Sequence, residues 1–563
     1  MGRPLQTPPA RTGTSRRDFF KRSGATTVAL AAVSPLASAV TSGNVNLVFQ
    51  HGVASGDPLS DRVILWTRVT PASAKSSVPV SFIVATDPAL ANVVLRGSSK
   101  TNPGRDYTVK VDAAGLQPGK TYYYRFNAEG VDSPIGRTKT LPVGPTNSLR
   151  FAVVSCSNHA YGYFNAYGRI AQRADLDLVM HLGDYIYEYG AGQYGTTRTP
   201  EPTHEIVSLA DYRMRHAQYK RDADSQAMHR QHPLVAIWDD HETANNSWKN
   251  GAENHTPAAE GAWTDRVNAA LQAYYEWMPV RVVDTANLRD NHRGYAYGDL
   301  ADLLMLEERI NSRSEQLTTA THATLFGAGF STSDAGYGDA GRSLLGTSEE
   351  NWLSSRLRST PAKWKMLGQG VMFAQLKAPG ANQATDPGLY FINSDQWDGY
   401  EPARNRIYGV IKGDADHAPV NNVVVLTGDI HSSWAADLNP NPYNPDVASG
   451  GYNKTTGEGS LAVEFVGTSV SSPGIDSDTT GQIAGGLKYY NPHFKYINLT
   501  RRGYMVMDVT PDRVVGEWWY VDTVASPSNI ETFATAFQVN AGSNRLVAGV
   551  QTPSRANPPA LAP

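Results

Sequence analysis

Four times in this chain an apolar run of strand length stops on side chains that a sheet interior cannot use. "AVVSCSN" (152–158) ends in Cys156 with Asn158 beside it, and "LVMHLGDYIY" (178–187) ends in Asp184 and Tyr187. "LVAIWDDHETANN" (234–246) ends in Asp239, Asp240 and His241, then Asn245 and Asn246. "VVVLTGDIHSSW" (423–434) ends in Asp429 and His431. A single Asp or Asn after a strand is ordinarily a turn former or a helix cap. Four such tips point elsewhere, because in open α/β sheets the carboxyl ends of the strands line one crevice. The pattern predicts strands alternating with helices, with these tips converging.

The intervening sequence agrees. "FNAYGRIAQR" (164–173) and residues 209–220 have helical composition. In "DRVNAALQAYYEWM" (265–278), Val267, Ala270, Leu271, Tyr274, Tyr275 and Met278 recur at the spacing of one helical face. Later strands come with fewer helices between them, which predicts a layered α/β domain with mixed sheets over 149–540. Residues 45–145 read differently. "RVILWTRV", "VPVSFIVA" and "TYYYRFNA" are short runs separated by turn residues, and "GLQPGKTYYYRF" (115–126) feeds a tyrosine-rich strand. An N-terminal fibronectin-like β-sandwich is expected there, with "LPVGPTNS" (141–148) as linker. Gly- and Pro-rich excursions at 191–202, 327–346 and 439–459 are long enough to be functional.

Residues 1–39 belong to targeting rather than fold. In "SRRDFFK" (15–21) two arginines precede a short apolar run at 25–36, which ends in Ala37-Ser38-Ala39. A basic region, an apolar segment too short to span a bilayer and a small-residue cleavage site, in that order, read as a signal peptide. The arginine pair resembles a twin-arginine signal, which implies export of the folded chain by that machinery to the periplasm or the exterior. Removing 1–39 takes away six of 50 basic and one of 53 acidic side chains, leaving a net charge of about −8. That balance disfavours a general nucleic-acid binder. No later apolar stretch reaches spanning length, so no transmembrane segment is expected in the mature chain. Cys156 is the only cysteine, which excludes an intramolecular disulfide and requires an exported thiol to be buried or bound.

Thiolate, carboxylates, phenol, imidazoles and amides gathered from several strands suit a cluster of two or more metal ions, with a carboxylate able to bridge. The thiolate and phenolate add a preference for a ferric-type or other strongly acidic ion. Asp429 and His431, two residues apart in an extended segment, point to the same side. A metal cluster of this kind fits hydrolysis. An iron oxidoreductase would want an open 2-His-1-carboxylate arrangement, which is not evident. A non-catalytic extracellular binding module would have no use for the full donor set.

The segments "SCSN", "GDYIYEYG", "WDDHETANN", "GDIHSSW", "EFVGTSVSSPG" and "NPHFKYINLTRRGY" together resemble the motif series of PhoD-type alkaline phosphatases. "FQHGVASGDPLSDRVILWTRVTP" (49–71) resembles that family's N-terminal domain, and the likeness runs over about 49–521. The family belongs to the calcineurin-like metallophosphoesterases and is distantly similar to purple acid phosphatases. The resemblance implies a four-layer α/β/β/α domain holding a ferric ion (Fe3+) and calcium ions (Ca2+). It implies that Cys156 binds iron, Asp184 bridges iron and calcium, and Tyr187 completes the iron shell as a tyrosinate. Asn245, Asp429 and His431 fall where the family's other metal ligands lie. Asp240 is a further candidate ligand, and His241 is the candidate for protonating or stabilising the leaving group.

The expected activity is hydrolysis of phosphodiesters, phosphomonoesters or both by a metal-activated hydroxide, releasing phosphate from organic esters. A phospholipase D-type diesterase acting on lipid headgroups is the alternative within that class. One departure from the family pattern is visible. Where the family commonly has Asp-Thr-Arg after the strand "DLLMLE", this chain has Glu307-Glu308-Arg309, so substrate contacts do not transfer at this edge.

Overall fold

The computed structural model describes residues 47–318 and 320–563, and the twin-arginine segment expected at 1–39 lies outside them. Two mixed sheets carry the architecture. In spatial order the ten-stranded sheet contains Leu546–Ala548, Glu531–Asn540, Arg513–Val521, Gly503–Val509, Leu149–Val154, Leu178–Leu182, Pro233–Ile237, Val53–Gly56, Arg62–Arg68 and Thr108–Ala114. The seven-stranded sheet contains Arg293–Tyr297, Ala301–Met305, Trp364–Gln369, Val423–Thr427, Ala462–Val466, Ser433–Leu438 and Phe494–Asn498. In each, the central strands pair in parallel.

Side chains alternate between the two faces of a strand. Phe151, Val153, Met180, Leu182, Val235 and Ile237 therefore meet Leu303, Met305, Met366, Val424 and Leu426 in the space between the sheets. On the other face of the first sheet, Ala152, Val154, Val179, Leu234 and Ala236 pack with side chains of the helices Asn165–Ala171, Leu209–Arg221, Ala223–Gln231 and Trp263–Trp277. On the far face of the second sheet, Leu304, Leu367, Val423 and Val425 pack with the helices Gly346–Ser359, Glu401–Lys412 and Gln482–Tyr490. The layers are α/β/β/α, as expected, and strands buried on both faces explain the near-continuous apolar runs.

Local signals start and stop the helices. Ser208 and Asp211 form a reciprocal capping box that opens Leu209–Arg221. Trp263–Trp277 buries Val267, Ala270, Leu271 and Tyr274 on one face and ends ahead of Pro279, where the chain cannot continue as helix.

The N-terminal region is two packed sheets. One contains Val93–Thr101, Val78–Ala85, Thr121–Ala128 and two short strands, Val131–Asp132 and Gly136–Lys139. It packs through Val80, Val84, Tyr124 and Phe126 on Val63 and Leu65 of the facing layer. The Tyr122 hydroxyl accepts the Gln117 N–H at 2.8 Å, a tyrosine corner. The facing layer has no boundary of its own. Ser55 pairs with Pro233 and Gly56 with Leu234, so these strands are the end of the ten-stranded sheet.

The last residues lie at the amino ends of the strands. Ala562 exchanges hydrogen bonds with Gln231 at 2.8 and 2.9 Å, Tyr123 donates to the Ala560 carbonyl, and Arg555 pairs with Asp177. This is the opposite end of the sheet from the four polar tips.

Candidate metal centre

The four tips converge, and both sheets contribute. Leu149–Val154, Leu178–Leu182 and Pro233–Ile237 deliver Cys156, Asp184 and Asp239 to His241, and Val423–Thr427 of the second sheet delivers Asp429 and His431. Turning sharply at the tip requires unusual backbone. Cys156, Asp184, Asn246, Asp429 and His431 have φ of 60°, 55°, 51°, 62° and 57°. Left-handed backbone at a non-glycine residue costs on the order of 1–3 kcal/mol, and such residues cluster at functional sites. The tips are stitched to one another, with Cys156 N–H donating to the Gly183 carbonyl at 3.1 Å and Gly428 N–H to the Gly370 carbonyl at 3.0 Å. Two glycines make room for Asp239. A Cβ on Gly183, itself at φ +93°, would stand 2.3 Å from the Asp239 Cβ, and one on Gly370 would stand 2.6 Å from its Oδ1.

Three overlapping groups have ligand atoms all within 4.8 Å of one another: Cys156, Asp184 and His431; Asp184, Asp240 and His241; and Asp239, Asp240 and Asp429. Every one of these residues is buried. Asp184 belongs to the first two groups, as a bridging carboxylate would. The Tyr187 hydroxyl donates to Asp184 Oδ2 at 2.9 Å and lies 3.0 Å from His431 Nε2. Ser472 Oγ lies 2.7 Å from that hydroxyl and 2.9 Å from the Cys156 carbonyl oxygen. His431 Nδ1 is 2.8 Å from the Pro473 carbonyl oxygen, which fixes the ring and leaves Nε2 for the centre. From the excursion at 191–202, Tyr194 places its ring 6.2 Å from His241 and 6.3 Å from His431.

Asn245 is less directly engaged. Its Nδ2 donates to Glu253 at 3.1 Å, while the neighbouring Asn246 donates its N–H to Asp240 Oδ2 at 2.7 Å. Asn246 Oδ1 and His241 Nε2 are buried without a hydrogen-bond partner. Buried polar atoms are ordinarily satisfied, so these two fit a place where an ion or substrate supplies the partner. With a thiol, a phenol and several carboxylates beside them, the donor set fits a cluster of metal ions.

Charged residues that sequence reading passed over hold this arrangement. Glu188 Oε2 lies 2.6 Å from His241 Nδ1, and Oε1 accepts from Asn245 N–H and Asn254 Nδ2, each at 2.8 Å. Burial depresses the His241 imidazolium, but the carboxylates of Glu188, Asp240 and Asp184 outweigh it and push the pKa up to about 9. Glu242 ties two tips together, accepting from Asp184 N–H at 3.0 Å and Asp239 N–H at 2.9 Å. Burial, reinforced by the nearby Asp184, pushes its carboxyl up to about 8. Arg309, fully buried, donates to Asp239, Asp395 and Asp429. The only sequence signal for Glu188 and Glu242 was their position inside the motifs, one residue after Tyr187 and one after His241. Arg309 had none beyond the departure at Glu307-Glu308.

That departure has a structural reason. Glu307 accepts N–H donors from Arg309, Ile310 and Asn311 at 2.9–3.0 Å and the Trp238 indole at 2.8 Å. Glu308 accepts from Gly370 N–H and Val371 N–H, each at 3.0 Å, and from the Trp397 indole at 2.9 Å. Both are buried loop braces.

Residues 151–518 match the model of a family described as PhoD-like phosphatase, and residues 35–142 match that of PhoD-like phosphatase, N-terminal domain. The chain is 39% identical over 493 residues to alkaline phosphatase D of Bacillus subtilis (strain 168), spanning 85% of this chain and 78% of that protein. A solved structure described as that of PhoD matches with a TM-score of 0.77 at 35% identity, covering 92% of this chain and 94% of the other.

Proposed function

Because this chain belongs to the PhoD-like phosphatase family and is a metal-dependent hydrolase of phosphoric ester bonds, we propose that the strand-tip cluster is its active site and that it holds iron and calcium. The observation that carries this reading is the meeting of Cys156, Asp184 and His431 within 4.8 Å, with the Tyr187 hydroxyl against Asp184 and His431. Cys156 and Tyr187 would offer Fe3+ a thiolate and a phenolate, and Asp184, Asp240, Asp429, His431 and an amide oxygen of Asn245 or Asn246 would supply the remaining ligands for Fe3+ and Ca2+.

When bound, such ions supply Lewis acidity that activates water at neutral pH and offsets the charge of the phosphoryl oxygens. The remaining work falls to the chain. Glu188 holds His241 in one orientation and stabilises its imidazolium, so Nε2 presents a proton toward the leaving alkoxide. Glu242 and the tip-to-tip hydrogen bonds keep the ligands from separating as charge develops. Deep burial excludes bulk water and strengthens each of these interactions.

The twin-arginine-like segment at 15–39 supports export of the folded, metal-loaded enzyme. No helix among the described residues is long and apolar enough to cross a membrane. Phosphate release outside the cytoplasm fits acquisition of phosphate from organic esters. The test is elemental analysis of the purified protein, coupled to hydrolysis of p-nitrophenyl phosphate and bis-p-nitrophenyl phosphate with calcium present. Iron and calcium in fixed proportion, lost together with turnover on chelation, support the assignment. A fully active protein without iron overturns it. A preference for the diester directs the substrate search to phosphodiesters, and the reverse to monoesters.

A further inference from the structure

The third carboxylate group, Asp239 with Asp240 and Asp429, has the composition of a cation site, but the chain itself supplies a cation there. Arg309 Nε donates to Asp239 Oδ1, and Nη2 donates to Asp429 Oδ1 at 3.0 Å and stands 3.8 Å from Asp240 Oδ2. Nη1 reaches both oxygens of Asp395 at 2.9 and 2.8 Å. Asp395 is in turn fixed by Arg313 Nη2 and Gln316 Nε2, each at 2.7 Å. The guanidinium is wholly buried, and its planar fork meets carboxylates along three directions, a geometry that a lysine's point charge does not reproduce.

The loop is built to hold it. Glu307 gathers three consecutive N–H groups beginning at Arg309, and Glu308 anchors the next strand's exit at Gly370 and Val371. Thus the two residues that depart from the family pattern brace the backbone on which the arginine stands. Gly370 then allows Asp239 to approach, since a Cβ there would meet Asp239 Oδ1.

We propose that Arg309 is a resident cation of the centre: it fills the Asp239–Asp240–Asp429 group so that no metal ion binds there, and it sets the orientation in which Asp240 and Asp429 meet the catalytic ions. Arg309 is a positioning residue, one step removed from the reacting atoms. Oxygens engaged by the guanidinium are withheld from a metal, and a second cation beside it is repelled at short range and low dielectric. The proposal rests on the assignment of Asp240 and Asp429 as ligands.

The experiment measures iron and calcium per chain by elemental analysis, and calcium affinity by titration, in the wild type, Arg309→Met, Arg309→Lys and Asp429→Asn. Folding is checked by circular dichroism. Arg309→Met, which opens the group, is expected to take up one additional calcium per chain and to gain thermal stability with added calcium beyond the wild-type response. Arg309→Lys, which keeps the charge but loses the fork, is expected to keep the wild-type stoichiometry and bind calcium about 10-fold more weakly. Unchanged stoichiometry in folded Arg309→Met overturns the cation role. Should that variant not fold, wild-type affinity in Arg309→Lys overturns the positioning role. Failure of the underlying site reading looks different: Asp429→Asn would then retain the full metal complement of the wild type.

Discussion

Glu188 and His241 meet at 2.6 Å, carboxylate Oε2 to imidazole Nδ1, and both are fully buried. The pair comes from two neighbouring strand tips, and it ties the orientation of one ring to the register of the sheet beneath. Cations held by Asp184 and Asp240 would cancel two of the three carboxylates that raise the His241 pKa, leaving Glu188 to keep the proton on the ring. Glu188→Gln is therefore expected to lower kcat roughly 10- to 100-fold with little loss of bound metal, because it acts through His241 and not on the ions. Steady-state kinetics beside elemental analysis checks this; equal losses of metal and turnover would show a different role.

Cys156→Ser keeps the size of a buried side chain but exchanges a thiolate for a weakly acidic hydroxyl. Iron content is expected to fall sharply and turnover with it, with any tyrosinate-to-iron absorption in the visible range lost in parallel. Calcium content should change less. A variant with wild-type iron would remove Cys156 from the ligand set.

Gly370→Ala tests the close approach that seats Asp239. The added methyl would stand 2.6 Å from a carboxylate oxygen already engaged by Arg309. Relief requires the Asp239 side chain or the strand exit to move, at about 1–3 kcal/mol of overpacking. Lower denaturation midpoints and reduced turnover are the expected pair of results. Neither should follow from Gly485→Ala, where the new methyl meets nothing within 4 Å.

His51 gives a pH dependence remote from the active site. It is buried against Trp277, with ring centroids 5.2 Å apart and neither ring nitrogen hydrogen-bonded. Burial, helped by the Arg68 charge, lowers its pKa to about 3. The unfolded chain takes up this proton below about 6.5 while the folded chain does not, so the contribution is complete above pH 6.5 and is lost as pH falls toward 3. At pH 5 the loss from this residue is about 2 kcal/mol. In urea titrations at pH 7 and pH 5, His51→Phe is expected to shrink the difference between the two midpoints. An unchanged difference would mean that His51 is protonated in the folded state.

The tips were legible in the sequence because the physics behind them is local. An apolar run buried on two faces and ending in polar chemistry announces itself over a few residues; Cys156, Asp184, Asp240, His241, Asp429 and His431 stand out that way, and their ligand atoms come together in the structure. Asn245 is a partial exception, since its amide donates to Glu253 while the adjacent Asn246 is the residue with a buried, unpartnered oxygen. Arg309 could not be read. A buried arginine looks like any surface arginine until its partners are known, and Asp239, Asp395 and Asp429 lie 70, 86 and 120 residues away in sequence. The join between the two regions was hidden for the same reason. Alternation within 53–56 says that a strand exists, but nothing local says that its neighbour is Pro233–Ile237.

That join bears on how such a chain can be remade by recombination. A module that ends in a loop can be exchanged, because the cut leaves only termini. Here Val53–Gly56 joins its own neighbours Arg62–Arg68 and Thr108–Ala114 to seven strands that lie beyond residue 148, so a cut at 141–148 would strip hydrogen-bond partners from Pro233–Ile237 and leave an open strand edge two residues upstream of Asp239. The N-terminal layer and the chemistry at the strand tips are thereby bound to be inherited together.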